Sequence, residues 1–193
     1  MKKLFLIPIL FITIQIFAQV TVTVHHYDYY DITAKNKPIK STVSMWAKKS
    51  LGPSLSVTSF SLVNNKWGES LIGMEYNPFK WLAVEGEIGI ETNIESYGYR
   101  RNLIRRAEIV TVATSKFLFL GTFEQGSIPW FDLRAFYLLK QLGIGGMASQ
   151  YYGYGPLIQY HIGKSPFTLW SSGLYNWENS DFGTMIGIYF KMK

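Results

Sequence analysis

Glu85, Glu87 and Glu91 are the residues best placed to do chemistry in this chain. Their spacing is two and then four. On a helix the three carboxylates would scatter around the axis; on a strand they share one face. The same reading brings in Glu75, Asp132, Arg134, Lys140, Gln159 and His161. Such a cluster serves as a polar pathway, as a binding site, or as a structural network. In the last case the acids must pair with Arg134 and Lys140 to offset their desolvation.

Nucleophilic chemistry has little to work with. The three histidines are His25, His26 and His161, and His161 is followed by Ile162 and Gly163 rather than by a hydroxyl residue. A set made of His161, Ser172 and Glu85 is conceivable in space but has no motif behind it. His25-His26 with Asp28 and Asp31 could ligate a metal only if the segment bends, because neighbours in an extended chain point to opposite sides. Residues 143–155 contain Gly145, Gly146 and Gly153 but no lysine in phosphate-binding spacing, and read as a tyrosine-rich exposed loop. Neither a catalytic set, a metal nor a cofactor is expected.

The elements that position these residues are strands. From Leu82 to Glu91, Leu82, Val84, Gly86, Ile88 and Ile90 alternate with Ala83, Glu85, Glu87, Gly89 and Glu91. The same alternation runs through 131–139, 155–163 and 182–192. Asn77-Pro78, Lys164-Ser165-Pro166 and 124–127 read as tight turns. Strands are expected near 54–63, 69–76, 80–92, 105–123, 128–141, 154–163, 167–178 and 181–192, with a bend near Ser115-Lys116. Residues 19–53 form either an N-terminal arm or a first hairpin. The fold expected is an all-β, closed antiparallel up-and-down barrel of 8 to 10 strands, with the hairpin favoured and the main barrel at 54–193.

Composition says where such a barrel sits. Lys2 and Lys3 precede an apolar run from Leu4 to Phe17, and Ile16-Phe17-Ala18 precedes a plausible cut. Residues 1–18 are therefore expected to be a cleaved export signal. The run is short of the ~20 residues a spanning helix needs. No later apolar stretch is long enough either, so a membrane could be crossed only by a closed barrel. The 193 residues are 17% aromatic and 17% charged, with no cysteine. Rings collect near strand ends: Tyr76, Phe79, Trp81, Phe123, Trp130, Phe131, Phe167 and Phe190 towards one end, Trp67, Tyr97, Tyr99, Tyr151, Tyr152, Tyr154, Tyr175, Trp177 and Phe182 towards the other. Two such belts suit a bilayer's two interfaces. The formal charge of +6 comes with no dense basic stripe, and no nucleic-acid partner is expected. Arg100, Arg101, Arg105 and Arg106 are the one basic cluster.

With the signal at 1–18 and alternating strands from 54 to the end at Tyr189-Phe190-Lys191-Met192-Lys193, the chain resembles the small bacterial outer-membrane β-barrel proteins as a class. That resemblance implies residence in the outer membrane, contact with lipid including lipopolysaccharide, and handling by the barrel-assembly machinery. Such proteins commonly end on an aromatic residue, whereas here Phe190 lies three residues from the end. On this reading the four arginines stand at the outer rim, facing lipid phosphates, and the acids look into the lumen. One lipid A deacylase class built on eight-stranded barrels places a His and a Ser two apart on one strand, a spacing this chain breaks. The expected role is structural or interactive, with loops presented to lipopolysaccharide or a partner subunit. The alternatives are a soluble exported barrel for an apolar ligand and a membrane-embedded lipid-modifying enzyme.

Overall fold

A strand in hydrocarbon must have both edges paired, which only ring closure achieves. The computed structural model describes residues 20–33, 39–94 and 100–192, excluding the side chains of 93–94 and 100–103. The expected export signal, Tyr97 and Tyr99 lie outside them. The described residues form a closed antiparallel barrel in which every strand pairs with its sequence neighbours and β1 (Val20–Asp31) closes on β12 (Asp181–Met192). Between them run β2 (Lys40–Ser50), β3 (Leu55–Asn64), β4 (Trp67–Phe79), β5 (Leu82–Ile94), β6 (Arg100–Ala113), β7 (Phe117–Gln125), β8 (Trp130–Leu139), β9 (Leu142–Ser149), β10 (Gly153–His161) and β11 (Phe167–Asn176).

There are thus 12 strands, not 8 to 10. Residues 19–53 supply the hairpin β1–β2. The segment 105–123 is two strands, folded back at Thr114-Ser115-Lys116, where the Thr114 hydroxyl accepts the Phe117 amide at 2.9 Å. The expected loop at 143–153 is largely β9, reached through a two-residue turn in which Lys140 adopts φ 55°.

The extra turn at 114–116 reverses the direction of β7 and β8. The 126–129 turn therefore lies at the opposite end from Lys80-Trp81 and 162–166, and Phe123, Trp130 and Phe131 join the belt of Trp67, Tyr151, Tyr154 and Trp177. Phe117 and Tyr137 join Tyr76, Phe79, Trp81 and Phe167 at the end that carries Val20 and Met192. Each belt is largely outward-facing.

The faces sort by polarity. Ile88 is 51% exposed on the outer wall, while Glu87 beside it is 5% exposed in the lumen. Ile72, Val84, Ile90, Ile144, Ile158, Leu169 and Ile186 continue the outer apolar band. Inside, one half of the lumen is apolar. Tyr27, Tyr29, Phe136, Met147, Leu157, Trp170, Leu174 and Met185 pack together from β8–β12 and β1. Glycines on the inner face of β12 make that packing fit. A Cβ on Gly183 would overlap the Tyr29 ring, and one on Gly187 would overlap the Trp170 indole. Gly187→Val is expected to lower the barrel's stability by about 1–3 kcal/mol through overpacking, read as an earlier denaturant midpoint of the refolded protein in detergent.

Candidate functional site: a charged lumen closed at one end

The other half of the lumen is charged because β4 to β8 each turn acids or bases inward. Register and stagger set the cluster: Glu69 pairs across with Glu91, while Arg105, opposite Gly89, and Glu124, opposite Ala107, each step two residues along on the next two strands. Arg105 Nη1 donates to Glu91 Oε2 at 2.6 Å, and its Nε donates to Glu124 Oε2 at 2.8 Å. Nη2 also meets Glu124. Glu69 Oε2 lies 2.7 Å from Arg105 Nε, but at an angle too oblique for a hydrogen bond. The guanidinium carbon is 4.3 Å from the centre of the Trp67 ring. The turn after β7 folds over this group: the Ser127 amide donates to Glu91 Oε1 at 2.5 Å, and the Ile128 carbonyl accepts from Arg105 at 3.4 Å. Arg105 is 1% exposed and Glu91 is fully enclosed. Across the lumen Tyr29, Leu174 and Asn176 are also buried, with Asn176 donating to the Tyr151 carbonyl at 3.0 Å. The end away from the termini is therefore stoppered.

A second group sits deeper. Arg134 donates to Asp132 Oδ1 at 2.7 Å and to the Tyr189 hydroxyl, and lies 4.9 Å from the Trp170 ring. Trp170 Nε1 donates to His25 Nε2 at 2.9 Å, so that nitrogen is unprotonated and the ring proton is on Nδ1. His25 stacks on Tyr189 at 4.1 Å between ring centres.

From these groups a chamber of about 1170 Å³ extends to the end carrying the termini. One wall holds Glu75, Glu85 and Glu87. Lys48 pairs with Glu75, which also accepts from Asn77 Nδ2 at 2.7 Å, and Trp46 Nε1 donates to Glu85 at 3.1 Å. Leu118, Leu120 and Phe136 line it from β7 and β8. Lys80, Lys164 and His161 stand at the mouth.

Of the residues expected to share the lumen, Glu75, Glu85, Glu87, Glu91, Asp132 and Arg134 are buried or nearly so and face it. They do not form one cluster. Glu91 belongs to the stopper, Asp132 and Arg134 to the middle, and Glu75, Glu85 and Glu87 to the chamber wall. His161 is exposed at the mouth and bonds Thr168 at 3.0 Å. Lys140 is outside the lumen, in the β8–β9 turn. Ser172 donates to the Pro156 carbonyl at 2.8 Å and sits four register positions from His161, so His161, Ser172 and Glu85 are not assembled.

Arg105, expected at the rim on lipid phosphates, is enclosed in the lumen, because alternation turns it inward while Arg106 turns outward. Arg106 is exposed; the side chains of Arg100 and Arg101 lie outside the described residues. Glu69 and Glu124 were not singled out from sequence. Glu69 shares the period of Glu75 and was legible; Glu124 was hidden by its reading as a turn.

Arg105→Met leaves three carboxylates without their cation. It should destabilise the barrel by about 3–5 kcal/mol, and adding Glu69→Gln, Glu91→Gln and Glu124→Gln should recover much of the loss. Denaturant titration of the parent, the Arg105→Met variant and the combined variant checks this.

No protein-family model matches the sequence, and no characterised protein matches it by sequence. Solved structures do. The barrel is similar to outer membrane phospholipase A from Escherichia coli, with TM-score 0.56 and 13% identity over 90% of each chain. A Rh. blastica porin mutant gives TM-score 0.39 and 6% identity over 90% of this chain and 99% of that one. The ferric-catecholate import receptor Fiu of E. coli K12 gives 0.36 and 12% over 92% of this chain and 40% of its own. At such identities the likeness is one of fold. The chain has the closed-barrel fold of outer-membrane β-barrel proteins as a class, without likeness to one particular member.

Proposed function

We propose that this protein resides in a bacterial outer membrane as a non-conducting barrel with an interaction role, offering a blind chamber rather than a pore. The observation that carries this reading is the asymmetry of the lumen. One end is stoppered by Arg105, its three glutamates and the turn after β7, and the other is open. Turns at the open end are two to five residues long, and those at the stoppered end run from two to eight. Short turns belong to the periplasmic side of such barrels, so the chamber opens towards the periplasm. Arg106, exposed and level with the end of β7, is the member of the arginine run best placed to meet outer-leaflet phosphates.

An enzymatic role has less support. His26, Asp28 and Ser41 meet on the outer wall, but His26 at 3.5 Å and Ser41 both address Asp28 Oδ1. The hydroxyl thus meets a carboxylate and not an imidazole, and the Ser–His contact of a nucleophile activated by histidine is not formed there.

The purified barrel in a planar bilayer is expected to give no sustained open conductance. Steady openings in the unmodified protein would overturn the reading. Arg105→Ala with Glu124→Ala, which thins the stopper, is expected to introduce openings in a barrel that still migrates as a folded form on an unboiled gel.

A further inference from the structure

The acid wall of the chamber has a gap in its pairing. Glu87 is 5% exposed, and its carboxylate has only the Glu85 carboxylate and the Thr58 hydroxyl beside it, with no cation paired to it among the described residues. Thr58 Oγ1 is likewise buried, with no well-aligned hydrogen bond of its own. The two flank Gly73 in the cross-strand row Lys48, Thr58, Gly73, Glu87. Lys48, the cation of that row, is engaged by Glu75. Glu85 has only the neutral Trp46 indole. Two inward carboxylates therefore line the chamber with no cation of their own, a costly arrangement for groups so largely buried.

We propose that the chamber binds the free amino end of an extended, mainly apolar molecule, with Glu87 as the partner of the ammonium group; a short peptide with an unblocked N-terminus is the chemical class that fits. This rests on the blind-chamber reading. An ammonium brings three donors, enough for Glu87, Glu85 and the Thr58 hydroxyl. Trp46 and Phe60, directly paired across β2 and β3, supply ring faces beside it. A metal ion suits the wall less well: no group of three or more His, Asp or Glu among the described residues is arranged to hold one. The apolar residues that line the chamber from β7 and β8, Leu118, Leu120 and Phe136, suit a carbon-rich body. Leu82, where β5 begins, is five residues from Glu87, on the order of 16 Å along a strand, which four or five extended peptide units span. Lys80 and Lys164 at the mouth would then meet the peptide's carboxylate end.

The test is calorimetric titration of the full-length folded barrel with tetraleucine in three forms: unblocked, N-acetylated and C-amidated. The unblocked and C-amidated peptides are expected to bind, and acetylation to weaken binding about tenfold or more, the loss expected for a charge-assisted hydrogen bond. Glu87→Gln should weaken the unblocked peptide to the same degree and leave the acetylated one unchanged. Glu85→Gln, with a smaller expected loss, stands in if Glu87→Gln does not reach the folded gel form. Equal binding of acetylated and unblocked peptides, an unaltered affinity in the glutamine variants, or no binding by the folded barrel would each overturn the inference. Failure of binding in a barrel that remains non-conducting sinks this inference alone, whereas sustained conductance sinks the blind chamber beneath it.

Discussion

The backbone bonds between β1 and β12 govern everything else in the barrel. Their register runs unbroken from Val22 opposite Met192 to Asp31 opposite Gly183. Without that seam, two strands would hold rows of amide and carbonyl groups against hydrocarbon, which supplies no partner. With it, side chains alternate in and out all the way round, and an apolar outer wall dictates that polar groups gather inside. Twelve strands also enclose more width than the eight at which a barrel's own side chains just fill it. The surplus is divided between an aromatic and aliphatic cluster, an ion network and a chamber.

The ion network and the aromatic cluster do the same job by different physics. Tyr29, Leu174 and Met185 exclude water by packing, helped by the glycines that let rings approach the wall. Arg105 and its acids exclude it by bonding to one another and to the turn above. Three carboxylates around one guanidinium is an unbalanced group, and its strength depends on bond geometry rather than on net attraction. Trp67, with its ring centre 4.3 Å from the Arg105 guanidinium carbon, limits how far that side chain can move.

Much of this was legible in the sequence where alternation was long and clean. Leu82 to Glu91 reads as a strand, and its glutamates fall on the face opposite Val84 and Ile88, as they do in the structure. Strand count was lost at turns that lack the usual residues. Thr114-Ser115-Lys116 has no glycine or proline, and Lys140-Gln141 turns with a lysine at positive φ. The alternation passed through the first, so β6 and β7 looked like one strand. The glycines of β9 misled in the other direction. They read as loop, yet Gly145 is there because the Ala135 carbonyl and Phe136 backbone lie too close for any Cβ. Arg105 shows what a cluster read by type alone conceals, since adjacent arginines on a strand have opposite destinations.

The stagger between β6 and β7 also marks how deep the barrel sits. Their pairing ends at Arg106 opposite Gln125, and β6 continues to Arg100 beside β5 alone. Along that stretch one edge of β6 has no strand beside it, so its amides and carbonyls need water. The waterline must therefore lie no higher than Arg106 on this side, leaving the upper β5–β6 ribbon as a wetted fin above a bevelled shoulder.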